Sequence, residues 1–372
     1  MLAAAAVALL AGVAVGAGGD EGPRPDRAAP ANGERPAGGT ARPAPDDPLA
    51  GRTLEQQVGQ LIVLRFAGTS APGYVRRALR EDRAAGAILF RDNATSAEQV
   101  AALTRSLRRA AGERTPLICV DQEGGAIRIL PWSPPTAAQP DQAAAGTTRS
   151  DASGAAVALA DQGVNVSLGP VADVPDIPGS AMAGREFSTD PEVAAREVTQ
   201  SVEGWRAGGV LPTLKHFPGL GGATVNTDDG AASIGRTRDQ LGEDLVPFRA
   251  GISAGAPLVM LSHAVYTALD PEHIASQSPA VAQDLLRDEL GFEGVSMTDS
   301  LEAAAVREIT PDPGAAAIAS VAAGVDLILT TGRGSYIHVY RALLAKAGRE
   351  PEFRARVRES AARVATLRAA SS

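Results

Sequence analysis

Cysteine is nearly absent from this sequence, since Cys119 is the only one in 372 residues. A single cysteine excludes an intramolecular disulfide. Its position inside the apolar run 117–120 predicts a buried, unreactive side chain, because apolar surroundings raise the pKa of a thiol. Histidine is also scarce, and the four present, at positions 216, 263, 273 and 338, lack the spacing of metal ligands. We therefore expect no dedicated zinc site and no cofactor.

The sequence also lacks an excess of basic residues. It has 35 Lys and Arg against 43 Asp and Glu, which gives a formal net charge of −8 without a basic block. Binding to a phosphate backbone depends on clustered positive charge, so we expect no nucleic-acid partner. Hydrophobic residues make up 44% of the chain and charged residues 21%. This balance is typical of globular proteins and not of disordered or multi-spanning ones.

The first 52 residues differ in composition from the rest. Residues 2–17 are only Leu, Ala, Val and Gly, a stretch shorter than the roughly 20 residues that a membrane-spanning helix needs. This pattern is typical of a secretory signal with small residues at its cleavage site, although basic residues before it are missing. Residues 18–52 are rich in Pro, Ala and Gly, which predicts a disordered linker. We expect a secreted or envelope protein that contacts a membrane only if segment 1–17 stays uncleaved, with its globular domain at 53–372.

From residue 53 onward, short apolar runs alternate with segments of helical pattern. Eight runs occur, at 60–66, 87–90, 117–120, 164–168, 210–214, 258–261, 295–297 and 327–329. Helical patterns lie at 97–111, 192–207, 239–254, 280–290, 303–323 and 353–369. Eight buried strands alternating with helices predict an α/β fold, a single (β/α)8 TIM-type barrel domain. An open doubly wound sheet is the alternative, but no Gly-x-Gly-x-x-Gly turn follows the first run.

Polar side chains follow five of these runs. In chain order they are Asp121, Asp173, Lys215, His216, His263 and Asp299. In a barrel of this type, the loops after the strands meet at one end and build the active site. Charges placed there must be paired with one another or with a ligand. The pattern therefore predicts a polar site at the C-terminal mouth of the barrel.

Seven segments of the chain carry a family likeness through their order and spacing. They are Thr-Leu-Glu-Gln-Gln-Val-Gly-Gln-Leu at 53–61, Asp-Gln-Glu-Gly-Gly at 121–125, Pro-Val-Ala-Asp-Val at 170–174, Gly-Arg-Glu-Phe-Ser-Thr-Asp-Pro at 184–191, Lys-His-Phe-Pro-Gly at 215–219, Ser-His-Ala-Val-Tyr at 262–266 and Gly-Phe-Glu-Gly-Val-Ser-Met-Thr-Asp at 291–299. Over roughly 53–369 the sequence resembles glycoside hydrolase family 3, most closely its single-domain β-N-acetylglucosaminidases. The resemblance implies a barrel enzyme without the second sandwich domain of family 3 β-glucosidases.

The resemblance also implies roles for particular residues in a retaining mechanism with a covalent glycosyl-enzyme. Asp299 matches the nucleophile of the family. Its residue type also suits the N-cap of a helix beginning near residue 301, although Ser300 could take that place. Four further residues match those that hold the sugar, and each could instead be a buried ion-pair partner. They are Asp121, Arg185, Lys215 and His216.

The general acid/base is where the chain departs from the family pattern. After Lys-His-Phe-Pro-Gly, the family carries His-Gly and then Asp-Ser-His, whose histidine donates the proton. Here Leu220 replaces the first of these histidines, and Asn-Thr-Asp at 226–228 occupies the Asp-Ser-His positions. We expect Asp228 to be the acid/base, because burial beside an apolar wall raises the pKa of a carboxyl group. Asp229 is the alternative, or both residues form only a solvated acidic turn.

Three functions therefore stay open at the level of the sequence. The first is an exported exo-β-N-acetylglucosaminidase, or a related β-glycosidase, that acts on cell-wall or chitin-type fragments. The second is a weak or inactive family relative that binds sugar or a partner at the cell envelope, which the missing Asp-Ser-His motif would suit. The third is another activity on the same fold, such as phosphorolysis or a function unrelated to sugars, since fold does not determine function.

Overall fold

The computed structural model describes residues 47–371, and its centre is a closed barrel of parallel strands. The strands are β1 (Ile62–Arg65), β2 (Gly86–Ile88), β3 (Leu117–Val120), β4 (Val166–Ser167), β5 (Leu211–Phe217), β6 (Leu258–Leu261), β7 (Val295–Ser300) and β8 (Leu327–Thr330). They follow one another around the barrel in chain order, and β8 closes it by pairing with β1. Each of the eight predicted apolar runs supplies one of these strands. The predicted (β/α)8 fold is confirmed.

The side chains of each strand alternate between the barrel interior and the surrounding helices. In β3, Leu117 and Cys119 pack in the interior core, whereas Ile118 and Val120 pack in the core beneath the helices. This period of two buries both faces of the sheet, which is why the strands appear in the sequence as uninterrupted apolar runs. Cys119 is buried as predicted, and burial raises the pKa of its thiol.

Helices form the outer layer. They are α1 (Leu54–Gln60), α2 (Gly73–Arg80), α3 (Ala97–Ala111), α4 (Gln139–Ala145), α5 (Thr148–Asp161), α6 (Pro191–Ala207), α7 (Arg238–Ser253), a π-helix (Ala280–Glu289), α8 (Ala304–Ile309), α9 (Pro313–Ala323), α10 (Ser335–Arg349) and α11 (Pro351–Ala370). Several begin at local sequence signals. Thr53 and Gln56 form a capping box on α1, and Thr237 and Gln240 form another on α7.

Short strands outside the barrel shape its C-terminal mouth. An antiparallel pair, Gln122–Gly124 and Ile127–Arg128, directly follows β3. Val265–Tyr266 pairs in parallel with Ser233–Ile234 and in antiparallel with Asp270–Ile274. These pairings connect the loops after β5 and β6, so the mouth is built from ordered segments.

One predicted helix is wrong. The segment 303–323 forms two helices, α8 and α9, separated at 310–312. Pro311 lacks a backbone donor and excludes the preceding residue from helical geometry. Asp312 then begins α9, because its side chain accepts a hydrogen bond from the backbone N–H of Ala315. The apolar pattern by itself does not reveal that the segment is divided into two helices.

The start of the described chain packs on the barrel. The predicted signal segment 1–17 and residues 18–46 of the predicted linker lie outside the described residues. Residues 47–52 belong to that linker prediction, yet Leu49 is only 2% exposed in the core beneath the helices. Arg52 donates from Nε to Asp82 Oδ2 at 2.9 Å. Between residues 47 and 371, no helix combines the length and the apolar character needed to cross a bilayer.

We expect Leu49→Ala to lower the free energy of unfolding by about 2–5 kcal/mol, because it removes buried methyl groups and leaves a cavity. Urea denaturation measures this loss. The matched control is Val157→Ala, because Val157 is 52% exposed on α5. If both variants lose the same small amount of stability, residues 47–52 do not contribute to the folded domain.

Candidate active site

The six residues that the sequence and its family resemblance assign to the site meet at the C-terminal mouth of the barrel. They line one pocket of about 330 Å³, at the small end of the range of roughly 300–1,000 Å³ usual for ligand sites. Its polar wall contains all six predicted site residues, Asp121, Arg185, Lys215, His216, Asp228 and Asp299, together with Arg65, Asn226, Ser300 and Thr331. Its apolar wall consists of Ile88, Phe90, Ile127, Ile129, Leu168 and Leu329.

A buried lysine is at the centre of the polar wall. Lys215, on β5, is 3% exposed at its side chain, and its Nζ lies 2.8 Å from Asp121 Oδ1 and 2.6 Å from Glu123 Oε1. Glu123 also binds Arg185 through two bonds, from Nη2 to Oε1 at 2.8 Å and from Nε to Oε2 at 3.1 Å. The predicted sugar-binding residues are therefore ion-pair partners and pocket residues at the same time.

This network keeps its members charged. Burial opposes the charge of Lys215, but the carboxylates of Asp121 and Glu123 outweigh it and raise the pKa of the ammonium. Burial also opposes the charge of Glu123, yet Lys215 and Arg185 lower its pKa from 4.5 to about 2. Fixed charges on a pocket wall bind hydroxyl groups by charge-assisted hydrogen bonds, which are stronger than neutral ones.

His216 is held by a buried aspartate and faces the predicted nucleophile. Its Nδ1 lies 2.7 Å from Asp173 Oδ2, and its backbone N–H donates to Asp173 Oδ1. Because Asp173 accepts at Nδ1, this nitrogen carries the proton. Nε2 of the same ring lies 3.8 Å from Asp299 Oδ2. Asp173 thus determines the orientation in which His216 meets Asp299.

Asp299 ends β7 and faces the pocket. The backbone N–H of Ser300 donates to its Oδ1 at 2.7 Å. Burial opposes its ionisation, but electrostatic interactions with the nearby side chains of His216 and Lys215 lower the pKa of Asp299 below its ordinary value. The next helix begins only at Ala304, with Ala303 at its N-cap. Asp299 is therefore not a helix cap, and the alternative interpretation of this residue is wrong.

His263 hydrogen-bonds to the end of β7 from outside the pocket and does not line it. It is fully buried, and the hydroxyl of Ser276 lies 2.7 Å from its Nδ1. Its Nε2 donates to the carbonyl oxygen of Ser300 at 2.9 Å. A carbonyl only accepts, so Nε2 carries the proton and Nδ1 accepts from Ser276. Burial lowers the pKa of His263, consistent with a neutral imidazole that fixes the backbone next to Asp299.

Asp228 lies opposite this strand end, on the loop between β5 and α7. Burial and the carboxylate of Asp299 raise its pKa to about 6, against an opposing effect of His216. Asp228 is exposed as a residue, but its carboxyl group lines the pocket, where the surrounding protein atoms partly desolvate it. The side chain of Asn226 accepts a hydrogen bond from the backbone N–H of Asp228 and so fixes the turn. Among the described residues, the pocket wall includes Asp228 but not the exposed Asp229.

Glu123 is an important residue that sequence analysis did not assign to the site, and Asp173, which was counted among the polar residues after the strands, was given no role there. Both occur in recognisable segments just after strands β3 and β4. The rule that found Asp121 and Asp173 could also have found Glu123, because its carboxylate likewise follows an apolar strand. Within residues 47–371, no group of three or more His, Cys, Asp or Glu side chains is arranged to hold a metal ion.

Comparison with known proteins agrees with this architecture. Residues 53–367 match the family described as Glycosyl hydrolase family 3 N terminal domain. A Beta-hexosaminidase of Stenotrophomonas maltophilia is 38% identical over 282 residues, which cover 72% of this chain and 82% of that protein. A second Beta-hexosaminidase, from Xanthomonas oryzae pv. oryzae, is 38% identical over 66% of this chain and 76% of its own.

Two solved structures are similar in fold and sequence. The glycoside hydrolase family 3 beta-N-acetylglucosaminidase of Paenibacillus sp. str. FPU-7 superposes with a TM-score of 0.80 at 33% identity. The match covers 86% of this chain, and this chain spans 63% of that protein. The Beta-N-acetylhexosaminidase of Beutenbergia cavernae superposes with a TM-score of 0.78 at 34% identity, over 85% of this chain and 98% of that one.

A barrel with two carboxylates and a set of paired charges in one pocket at its C-terminal mouth has the architecture of a glycosidase. The match over residues 53–367 makes the assignment specific. The chain belongs to glycosyl hydrolase family 3.

Acid titration should reveal the contribution of Glu123 to stability. Its pKa is about 2 in the folded protein and near 4.5 ordinarily. Its stabilising effect is therefore complete above pH 4.5 and is lost as the pH falls toward 2. Glu123→Gln should destabilise the protein at pH 7 by about 3–5 kcal/mol, because it removes one partner of a buried charge network.

The same variant should show a weaker loss of stability than the original protein between pH 4.5 and 2, as measured by thermal unfolding at each pH. Glu308→Gln is the control, because Glu308 is exposed on α8. An acid profile of Glu123→Gln identical to that of the unmodified protein would contradict the assigned charge of Glu123.

Proposed function

We propose that this protein is a retaining exo-β-N-acetylglucosaminidase that works through a covalent glycosyl-enzyme. The observation that carries the proposal is the pair of unlike carboxylates on one pocket. Asp299 has a lowered pKa and Asp228 a raised one. Pairs of carboxyl groups with separated pKa values are the usual basis of acid and base roles in glycoside hydrolysis. The names of the similar hexosaminidases support the same activity.

In the first step, ionised Asp299 attacks the anomeric carbon while protonated Asp228 gives its proton to the glycosidic oxygen. The bond to the leaving group breaks, and the sugar becomes an ester of Asp299. In the second step, the Asp228 carboxylate takes a proton from water, and the resulting hydroxide equivalent displaces Asp299 from the sugar. Both residues return to their starting states, as microscopic reversibility requires.

The charged wall of the pocket suits the hydroxyl groups of one terminal sugar. Asp121, Lys215 and Arg185 offer an acceptor and two cationic donors in fixed positions. The pocket volume of about 330 Å³ favours a single ring over a long chain, in keeping with exo action. The apolar wall around Ile88 and Phe90 offers a surface for an acetamido methyl group.

The proposed setting is outside the cytoplasm, with cell-wall or chitin-type fragments as substrates. Support comes from the signal-like composition of residues 2–17, which precedes the described domain. A second candidate function, sugar binding without turnover, is favoured by one observation. Leu220 and Asn226 stand where the family has the histidine and aspartate of its loop.

Activity with two aryl glycosides tests the proposal. We expect the purified protein to release p-nitrophenol from p-nitrophenyl N-acetyl-β-glucosaminide and much less from the matching glucoside. Asp299→Asn should lower turnover on the order of 10⁴-fold or more, because it removes the covalent path, and should leave the melting temperature unchanged. A slow fluorinated sugar substrate should trap an ester on Asp299, detectable by mass spectrometry of peptides.

The control variant is Asp284→Asn, which makes the same chemical change on an exposed side of the π-helix. Release from the glucoside only would correct the substrate. Saturable sugar binding with no release from either substrate would favour the binding function. Near-normal turnover of Asp299→Asn would show that another residue is the nucleophile.

Removing Asp228 should affect poor leaving groups most. Asp228→Ala should lower kcat/KM on N,N′-diacetylchitobiose by roughly 10²- to 10⁴-fold, because this substrate needs a proton on its leaving oxygen. It should slow p-nitrophenyl glycosides much less at the first step, and azide should restore part of the second step by entering the space of the carboxylate.

In the unmodified protein, kcat/KM on the disaccharide should fall as the pH rises through about 6, because Asp228 loses its proton there.

Asp229→Ala is the matched control, since Asp229 is exposed beside Asp228 but outside the pocket wall. Phosphate should not accelerate turnover, because an anion in the second step would be repelled by ionised Asp228. Equal losses on both substrates without azide rescue would contradict the acid/base role. Formation of a sugar phosphate by the unmodified protein would show phosphorolysis instead.

A further inference from the structure

The loop that carries Asp228 runs from residue 218 to 237, between β5 and α7, and its first half is bound to the loop after β4. The backbone N–H of Leu220 donates to Asp173 Oδ1 at 2.6 Å. The hydroxyl of Ser180 donates to the carbonyl of Gly221 at 2.8 Å, and the N–H of Ala181 donates to the carbonyl of Ala223 at 2.8 Å. The first half of the loop therefore has a fixed position relative to the barrel.

The middle of the loop is bound to the segment that follows Asp299. The backbone N–H of Ala304 donates to the carbonyl of Asp228 at 3.2 Å, and that of Ala305 donates to the carbonyl of Thr227 at 3.1 Å. These are the first residues of α8, only a few positions beyond the end of β7. Two backbone hydrogen bonds therefore relate the position of Asp228 to that of Asp299.

The last part of the loop is held by one arginine. Arg236 contacts Asp176 through both terminal nitrogens, with Nη1 donating to Oδ2 at 3.3 Å. Its Nε lies 3.2 Å from Oδ2 of Asp244, a residue of α7 that is 1% exposed. The side chain of Arg236 is itself only 10% exposed, that of Asp244 is 1% exposed and that of Asp176 is 43% exposed, so the guanidinium of this ion cluster lies between one buried and one exposed carboxyl group.

Arg236 also crosses back over the first half of the loop. A Cβ atom on Gly222 would lie 2.8 Å from Nε of Arg236, so the guanidinium lies directly on that glycine. Likewise, a Cβ atom on Gly219 would lie 2.8 Å from Cβ of Asp244, and Gly219 has a positive φ of 129°. Because these two glycines lack side chains, Arg236 and Asp244 can contact the first half of the loop, while Arg236 itself belongs to its last part.

We propose that Arg236 is a positioning residue for the proton-transfer step: by bridging Asp176 and Asp244 across Gly222, it holds the loop 218–237 with Asp228 facing Asp299. The inference rests on the proposed acid/base role of Asp228. Within residues 47–371, the ion-pair partners of Arg236 are Asp176 and Asp244, neither of which lines the pocket, so its effect on catalysis passes through the loop. Unlike a merely structural ion pair, it should influence the step that needs a proton more than sugar binding.

The cluster allows Arg236 to be removed without leaving a buried charge. Burial, with Asp176 and Asp173 nearby, raises the pKa of Asp244 to about 8 even though Arg236 opposes this shift. A carboxyl group with that pKa is already largely protonated near neutral pH, so removing the guanidinium leaves no buried carboxylate charge at Asp244. The variant Arg236→Ala should therefore fold, with a loop that is less well positioned.

The test compares Arg236→Ala with Arg238→Ala on two substrates. Arg238 is two positions further along, 64% exposed at its side chain, and pairs only with Glu289 on the surface. We expect Arg236→Ala to lower kcat/KM on N,N′-diacetylchitobiose by about 10- to 100-fold, since a misplacement near 1 Å costs on the order of 10² in rate. On the p-nitrophenyl glycoside, kcat/KM should change by less than about threefold, and KM should stay nearly constant.

Arg236→Lys should give an intermediate loss, because it keeps the charge but not the planar fork. Arg238→Ala should match the unmodified protein.

A double variant separates this inference from the proposed function. In an Asp228→Ala background, Arg236→Ala should cause no additional loss on the disaccharide, because the two residues act through one step. A selective loss in Asp228→Ala with none in Arg236→Ala would overturn the positioning role alone. Equal losses of Arg236→Ala on both substrates would mean general loss of structure and would also overturn it. Absence of a selective loss in Asp228→Ala would refute the acid/base role, and with it the route by which Arg236 acts.

Discussion

The whole site depends on the neutralisation of one buried ammonium group. Lys215 is placed inside the barrel mouth by β5, and burial of an unpaired charge there would cost several kcal/mol. Asp121 and Glu123 supply the partners from the loop after β3, and Glu123 in turn recruits Arg185 from the segment before α6. Two loops must therefore approach the end of β5 for the buried lysine to be tolerated. Their convergence forms the polar side of the pocket.

Most of the fold could be predicted because its strands are buried on both faces. Each strand appears as an apolar run, and the polar residue after it lies by topology at the same end of the barrel. This simple rule found Asp121, Lys215 and Asp299, and the structure places all three on one pocket. The helix break at 310–312 was missed because the prediction followed the alanine-rich segments on both sides and did not weigh Pro311 and Pro313 between them.

Other features could not be predicted because they depend on contacts between distant segments. The family resemblance favours Asp228 over the adjacent Asp229, but the contacts that place Asp228 on the pocket wall come from distant segments, such as the hydrogen bond that its carbonyl accepts from Ala304. The importance of Glu123 likewise depends on Lys215 and Arg185, and that of Asp173 on His216. No periodicity in the chain reports such pairings, because they are properties of the folded barrel mouth.

The site suggests how one carboxyl group can serve as acid and then as base. The charge of Asp299 is among the causes that raise the pKa of Asp228. In the proposed mechanism that charge disappears when Asp299 becomes an ester, so the pKa of Asp228 would fall when its carboxylate is needed to activate water. The proposed nucleophile would then control the proton affinity of its partner. Asn226 is an amide and takes no part in the charge exchange, since its side chain is used to form the turn.

The pairing of β1 with β8 has a consequence for biosynthesis. β1 emerges from the ribosome early, but the strand that covers its free edge ends at residue 330, and Arg368 of α11 completes the contact with Asp82 near the start of the barrel. Until those residues are made, the chain exposes an unpaired parallel edge, which is a template for association with other chains. A chain interrupted before β8 would present that edge permanently. The nascent protein therefore has reason to depend on chaperones until translation is nearly complete.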